Sequence, residues 1–174
     1  MVRQRMTGKE RREQLISIGR AVFAERGFDG ASVEEIAARA NVSKPVVYEH
    51  FGGKEGLYAV VIDREMVKLE AMITGSLQHG RSRYRIEQAV LALLTYVEDE
   101  TDGFLILVRD MQPGERRSYG TLLNDATTQV SHILGNAFTR SGLNAEYANL
   151  YGQALVGMLS MPAPWKVKLP ERSR

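Results

Sequence analysis

The sequence predicts an all-α fold, with three N-terminal helices leading into a longer helical body. Three observations carry this. Apolar residues return at spacings of three and four along most of the chain, where strands would show a spacing of two. Helix start and stop signals punctuate the first third: Ser32-x-x-Glu35, Ser43 with Pro45, Gly27, and the pair Gly52-Gly53. The 174 residues, 44% hydrophobic and 25% charged, suit one compact domain or a small module joined to a larger one, and exclude wholesale disorder.

The elements follow in order. Residues 9–26 form a helix with Leu15, Gly19, Val22, Phe23 and Arg26 on one face, Gly27 as its stop and Phe28-Asp29-Gly30 as a turn. Ser32 caps a short helix, Val33–Ala40, in which Glu35 is placed to reach back to the cap amide. Asn41 stands where a tight turn wants positive φ. Ser43 is the next cap, with Pro45 in the first turn of a helix over 44–50 that ends at Gly52-Gly53. Lys54 opens a long helix to about 74, and further helices are expected over 85–99, 104–111, 115–139 and 145–161. The last of these is apolar nearly all round and is expected to be buried on more than one face. The tail MPAPWKVKLPERSR is poor helix material.

Composition removes several chemistries. With no Cys, disulfides, Cys-based zinc sites, iron–sulfur clusters and thiol nucleophiles fall away, and a reducing, cytoplasmic setting is expected. No run approaches the ~20 apolar residues of a membrane span. His79 and His132 are lone, so no metal is expected. Gly52-Gly53-Lys54-Glu55 does not make a phosphate loop, because Tyr48 stands at the first required Gly and Glu55 replaces Ser or Thr. No catalytic motif or cofactor site appears, so an enzyme is not expected. Charge is uneven. Residues 1–54 hold ten Lys or Arg against seven Asp or Glu, residues 55–165 nine against thirteen, and residues 166–174 four against one. A basic N-terminal part suggests that this end meets a polyanion.

Residues 32–51, SVEEIAARANVSKPVVYEHF, are the most informative stretch. Two short capped helices meet at a tight turn, and Ile36, Ala37, Ala40, Val42, Val47 and Phe51 are the apolar pins that lock one across the other. This spacing predicts a helix-turn-helix, whose second helix enters a DNA major groove. On its exposed face, Ser43 and the free amides form an anion site, and Lys44 reaches a phosphate or guanine. Pro45 and Val46 suit thymine methyls, while Tyr48, His50 and Lys54 donate to phosphates.

From about Lys9 to Leu57 the chain resembles the DNA-binding domain of TetR/AcrR-type bacterial transcriptional regulators. The matching residues are Phe23, Gly27, Phe28, Ser32, Val33, Ile36, Ala37, Ala40 and the run VSKPVVYEHFGGKEGL, with Asn41 where the family often has Gly. The resemblance implies an N-terminal three-helix helix-turn-helix DNA-binding domain over 1–54, its match extending to about 69. A helical effector-binding and dimerisation domain follows over 55–165, then a basic tail over 166–174. It implies Ser43, Lys44, Tyr48, His50 and Lys54 as backbone contacts and Lys44, Pro45 and Val46 near base edges. Ser32 and Val33, at the start of the preceding helix, complete the expected DNA-facing set. The implied partners are a double-stranded operator, a small-molecule effector and a second copy of the chain, with no membrane. The implied function is a repressor that binds a palindrome as a dimer and is released by a small apolar effector. The alternatives are a helical small-molecule-binding protein and a non-specific DNA-binding protein.

In the body only residue types speak. Met66, Met72, Tyr96, Phe104, Leu107, Met111, Leu123, Tyr151, Met158 and Trp165 suit an apolar effector pocket. Tyr147, Tyr151, Ala154, Met158 and Met161 form a stripe suited to a symmetry mate, and Ala148, Gly152, Leu155 and Leu159 form another. Regulators of the resembled family usually carry one more long helix, so a shortened or altered C-terminus, with a smaller interface, is expected.

Overall fold

The computed structural model describes residues 6–109 and 118–160. Eight helices account for their regular structure: α1 (Gly8–Gly30), α2 (Val33–Ala40), α3 (Lys44–Phe51), α4 (Lys54–Leu77), α5 (Ser82–Asp99), α6 (Thr101–Arg109), α7 (Tyr119–Arg140) and α8 (Tyr147–Ser160). The chain divides into two compact units, Met1–Leu122 and Leu123–Arg174. The expected boundary at 54/55 lies inside the first unit, where α1 packs on α2, α4 and α6.

Helix α1 starts one residue earlier than periodicity suggests. Thr7 and Glu10 make a reciprocal capping box: the Glu10 N–H donates to Thr7 Oγ1 at 3.3 Å and the Thr7 N–H to Glu10 Oε2 at 2.7 Å. Gly27 interrupts the helix at φ 70°, but a further helical turn runs to Gly30 where a turn alone was expected. Leu15, Ile16, Gly19, Val22 and Phe23 are buried, whereas Arg26 is exposed because its charge stays in water. The Phe23 ring meets Tyr58 edge-on at 4.9 Å, and Phe28 closes the cluster at 4.8 Å from Tyr58.

The Ser32 hydroxyl caps α2 by accepting the Glu35 N–H at 3.1 Å. The expected return bond from Glu35 is absent. Its carboxylate is taken by Arg39 one turn on, at 2.7 Å, a charge-assisted bond stronger than one to an amide. Helix α4 buries Leu57, Val61, Met66, Leu69, Ile73 and Leu77. Arg64 points outward and grips Glu13 at 2.5 and 2.8 Å.

Glu65 takes a buried place instead, at 7% exposure. Arg20 Nε of α1 donates to its Oε1 at 2.7 Å, and the Tyr96 hydroxyl of α5 donates to its Oε2 at 2.6 Å. Arg20 Nη2 continues to Glu100 Oε2 at 2.6 Å, and Lys68 of α4 bonds the other Glu100 oxygen. Burial, followed by the bond to Glu65, pushes the Tyr96 phenol well above its ordinary pKa. At Gly103 of α6 an added Cβ would land on the Glu65 carboxylate and the Tyr96 hydroxyl, so only glycine lets α6 approach. Four helices therefore meet at one carboxylate.

In the second unit, Val130, Ile133 and Ala148 are buried, and Gly152 of α8 crosses α7 so closely that a Cβ would strike Ser131. Phe138 and Tyr151 meet edge-on at 5.7 Å. Burial of α8 on more than one face is not what a single chain shows: Tyr147, Leu150, Tyr151, Ala154 and Met158 are exposed. No described helix is long and apolar enough to cross a membrane.

Two predictions follow from the buried carboxylate and its ionic neighbours. Arg20→Met strands the Glu65 charge and lowers unfolding stability by roughly 2–4 kcal/mol in urea titrations, whereas Glu65→Gln, which keeps an acceptor for Tyr96, costs less. Hydrogen bonds from Arg64, Arg39 and Lys68 hold the carboxyls of Glu13, Glu25 and Glu100 below their ordinary pKa. Depressed carboxyl pKa values stabilise the fold above the unfolded carboxylate range and lose that effect as pH falls through it. The thermal midpoint therefore drops between about pH 5 and pH 3, and drops less in Lys68→Met.

Candidate nucleic-acid interface

Helices α2 and α3 pack at a tight turn, as their small and apolar residues require. Ile36, Ala37, Ala40 and Val47 are buried, and Val42 and Phe51 half-buried. Asn41 adopts φ 53° and ψ 49°, and its N–H and that of Val42 close on the Ala38 and Ala37 carbonyls at 3.1 and 3.0 Å. This left-handed geometry suits Asn or Gly and strains a β-branched residue.

The outward face of α3 presents the expected side chains unequally. Ser43 is the N-cap by position and is exposed, and its hydroxyl makes no capping bond; Pro45 has no N–H to offer, and the Val46 N–H is spent on the Ser43 carbonyl at 3.1 Å. Lys44, Pro45 and Tyr48 are exposed, Tyr48 at 53%, and Val46 and His50 are half-buried. Val33 is buried and Ser32 half-buried with its hydroxyl occupied, so Val33 has only backbone to offer a partner.

Two cations are committed within the head. The Lys54 ammonium donates to the Phe28 carbonyl at 3.0 Å and lies 4.3 Å from the Phe28 ring centroid. One of its three N–H groups is thereby spent on joining α4 to the end of α1. The Arg12 guanidinium lies 4.4 Å from the Phe51 ring centroid and donates to the His50 carbonyl at 2.6 Å. It satisfies one of the carbonyls that a helix end leaves without a partner and pins the C-terminus of α3 to α1. Thirty-eight residues separate Arg12 from His50, so no local pattern announces the pair.

Lys44 has a partner that the sequence reading missed. Its ammonium reaches Glu34 of α2 at 2.5 Å and holds that carboxyl below its ordinary pKa. Both side chains are more than half exposed, so water screens the pair and it opens readily.

The residues expected to line an effector pocket differ in burial and fall in both units. Met66, Tyr96 and Leu107 are buried, and Met72, Phe104 and Leu123 half-buried. Tyr96 spends its hydroxyl on Glu65. Tyr151 and Met158 are exposed, at 54% and 70%, and so lie on the open face of α8, which is where the expected dimer stripe also falls. Met111, Met161 and Trp165 lie outside the described residues.

Comparison with known proteins gives this geometry a family. Residues 15–61 match the model of bacterial regulatory proteins, tetR family. The chain is 31% identical over 156 residues to the HTH-type transcriptional activator FasR of Mycolicibacterium smegmatis, covering 88% of this chain and 71% of the relative. It is 38% identical over 71 residues to the HTH-type transcriptional repressor BdcR of Escherichia coli K12, covering 39% of this chain and 36% of that one. A TetR-like transcriptional regulator from Rhodococcus sp. RHA1 superimposes with a TM-score of 0.77 at 26% identity, covering 90% of this chain and 83% of the other. The chain belongs to the tetR family of bacterial regulatory proteins and is a DNA-binding transcriptional regulator whose reading head is the α2–α3 helix-turn-helix.

Proposed function

We propose that the chain acts as a homodimeric repressor that binds a palindromic operator through α3 and leaves it when a small apolar effector occupies the body. The observation that carries this reading is the face of α3. A Ser43 hydroxyl not spent on capping and an exposed Lys44, Pro45 and Tyr48 stand together on a helix pinned by Arg12. Polar donors at a helix start suit phosphate, and an apolar pair beside them suits base edges.

The open stripe of α8 supports dimerisation. Tyr147, Leu150, Tyr151, Ala154 and Met158 are exposed on the helix whose Ala148 and Gly152 are buried. A second copy removes this apolar surface from water and sets two heads at a fixed spacing, which a palindrome mirrors. Coupling to an effector is supported by bonds that run from the body helices to α1. Arg109 of α6 donates to the Ala24 carbonyl at 2.6 Å, and Glu65 and Glu100 hold Arg20. A molecule that shifts α4 or α6 therefore moves the head, and its differential affinity for the two arrangements sets how far DNA binding falls. Repression follows if the bound dimer covers promoter DNA. BdcR is a repressor and FasR an activator, so the sign is read from transcription with and without the protein.

Selection from random DNA is expected to enrich a palindrome whose half-sites lie a whole number of helical turns apart; enrichment of nothing leaves only non-specific binding. Lys44→Ala is expected to weaken operator binding and reduce the slope of log K against log salt by about one, whereas Tyr48→Phe weakens it with the slope unchanged. Glu34→Gln frees Lys44 and removes a like charge from the phosphate backbone, so affinity rises a few-fold in fluorescence anisotropy. Asn41→Val costs about 1–2 kcal/mol of stability while Asn41→Gly is near neutral, measured by thermal unfolding.

A further inference from the structure

The hydroxyl of Tyr119 is a buried polar atom that makes no hydrogen bond among the described residues. The residue is 1% exposed. It sits in the first turn of α7, and its ring meets Phe104 of α6 edge-on, with centroids 6.0 Å apart. Ile106, Leu107 and Leu122 on the same two helices are buried and apolar. Tyr96, the other fully buried tyrosine of the first unit, has its hydroxyl bonded to Glu65. Buried hydroxyls in folded proteins nearly always have a partner, because leaving one unmade costs the group its hydration. Phenylalanine would fill the same space without that cost.

We propose that the Tyr119 hydroxyl is the anchor that reads the polar group of the effector, a mostly apolar and electrically neutral molecule carrying a carbonyl or hydroxyl oxygen. The proposal rests on the ligand-responsive reading above. Burial alone pushes the phenol up to about 12, so Tyr119 stays neutral and offers a donor, not a charge. A neutral phenol beside the Phe104 ring suits a ketone, ester or alcohol, and among the described residues it brings no bonded cation for a carboxylate. Phe104 adjoins the anchor, and its N–H donates to the Glu100 carbonyl at 3.0 Å. Glu100 in turn holds Arg20 of α1 at 2.6 Å. A ligand that moves the Phe104 ring thus acts one helical turn from the bonds that hold the head.

The test pairs matched probes with Tyr119→Phe. Octan-2-one and acetophenone are compared with octane and ethylbenzene, and with octanoate and benzoate, by thermal shift and by titration of protein labelled at tyrosine Cζ. The resonance lost in Tyr119→Phe identifies the phenol. The ketones are expected to raise the thermal midpoint and move that resonance, and the hydrocarbons and carboxylates to do less. Tyr119→Phe is expected to unfold at the same temperature or higher when empty, and to bind the ketones about tenfold more weakly with hydrocarbon binding unchanged. A lower midpoint for empty Tyr119→Phe means the hydroxyl already has a partner, such as a trapped water, and overturns the proposal. Equal ketone affinity in the two proteins, or no preference for ketones over hydrocarbons in the wild type, overturns it as well. Operator selection separates this from the reading beneath it. A chain that enriches a palindrome but ignores the ketones keeps the DNA-binding reading and loses the anchor.

Discussion

One buried carboxylate constrains this molecule. Glu65 sits where the face of α4 would otherwise carry an apolar side chain, and it is tolerable only because Arg20 and Tyr96 both reach it. Arg20 belongs to the reading head and Tyr96 to the body, and Gly103 keeps α6 close enough to close the pocket around the charge. A leucine in place of Glu65 would pack as well, but it would not care how α1 is oriented. The carboxylate does, because its two oxygens accept from two directions and its solvation depends on both donors. Head and body are thereby made to share one arrangement rather than to slide.

The same logic operates at the front of the head. Helix α3 has only eight residues, too few to hold its own geometry in isolation. Its shape is set from outside: Arg12 takes the His50 carbonyl and covers Phe51, Asn41 sets the turn, and Lys54 ties the start of α4 back to Phe28. Cations that a charge count would assign to DNA are partly spent on rigidity. What remains for a partner is a smaller set on one face, held in a fixed frame, which is what discrimination between base sequences needs.

Much of this was legible in the residues, and the rest was not for physical reasons. Caps and periodicity suffice for α2, Asn41 and α3, because each signal acts within a few residues of its effect. Thr7-x-x-Glu10 is of the same kind and was readable, though the apolar repeat begins later and draws attention from it. Glu65 is different. Its partners lie 45 and 31 residues away, so a lone Glu among apolar neighbours reads as surface. Lys54 and Lys44 illustrate the limit of assigning roles by residue type: both are cations on the correct face, and their partners, Phe28 and Glu34, are 26 and 10 residues away. Along α8 the two stripes are separable by spacing alone, yet which one meets solvent in a single chain is a property of the assembled unit.

The Lys44–Glu34 pair bears on how the proposed regulator finds its site. Under the proposed contact of Lys44 with DNA, the ammonium exchanges one anion for another, so a chance encounter with an arbitrary stretch of duplex would return little for breaking the pair. Only where α3 also fits the bases does the exchange become favourable. On that proposal Glu34 would shorten the dwell on wrong sequence, and a searching protein that lets go quickly samples more of the chromosome per unit time.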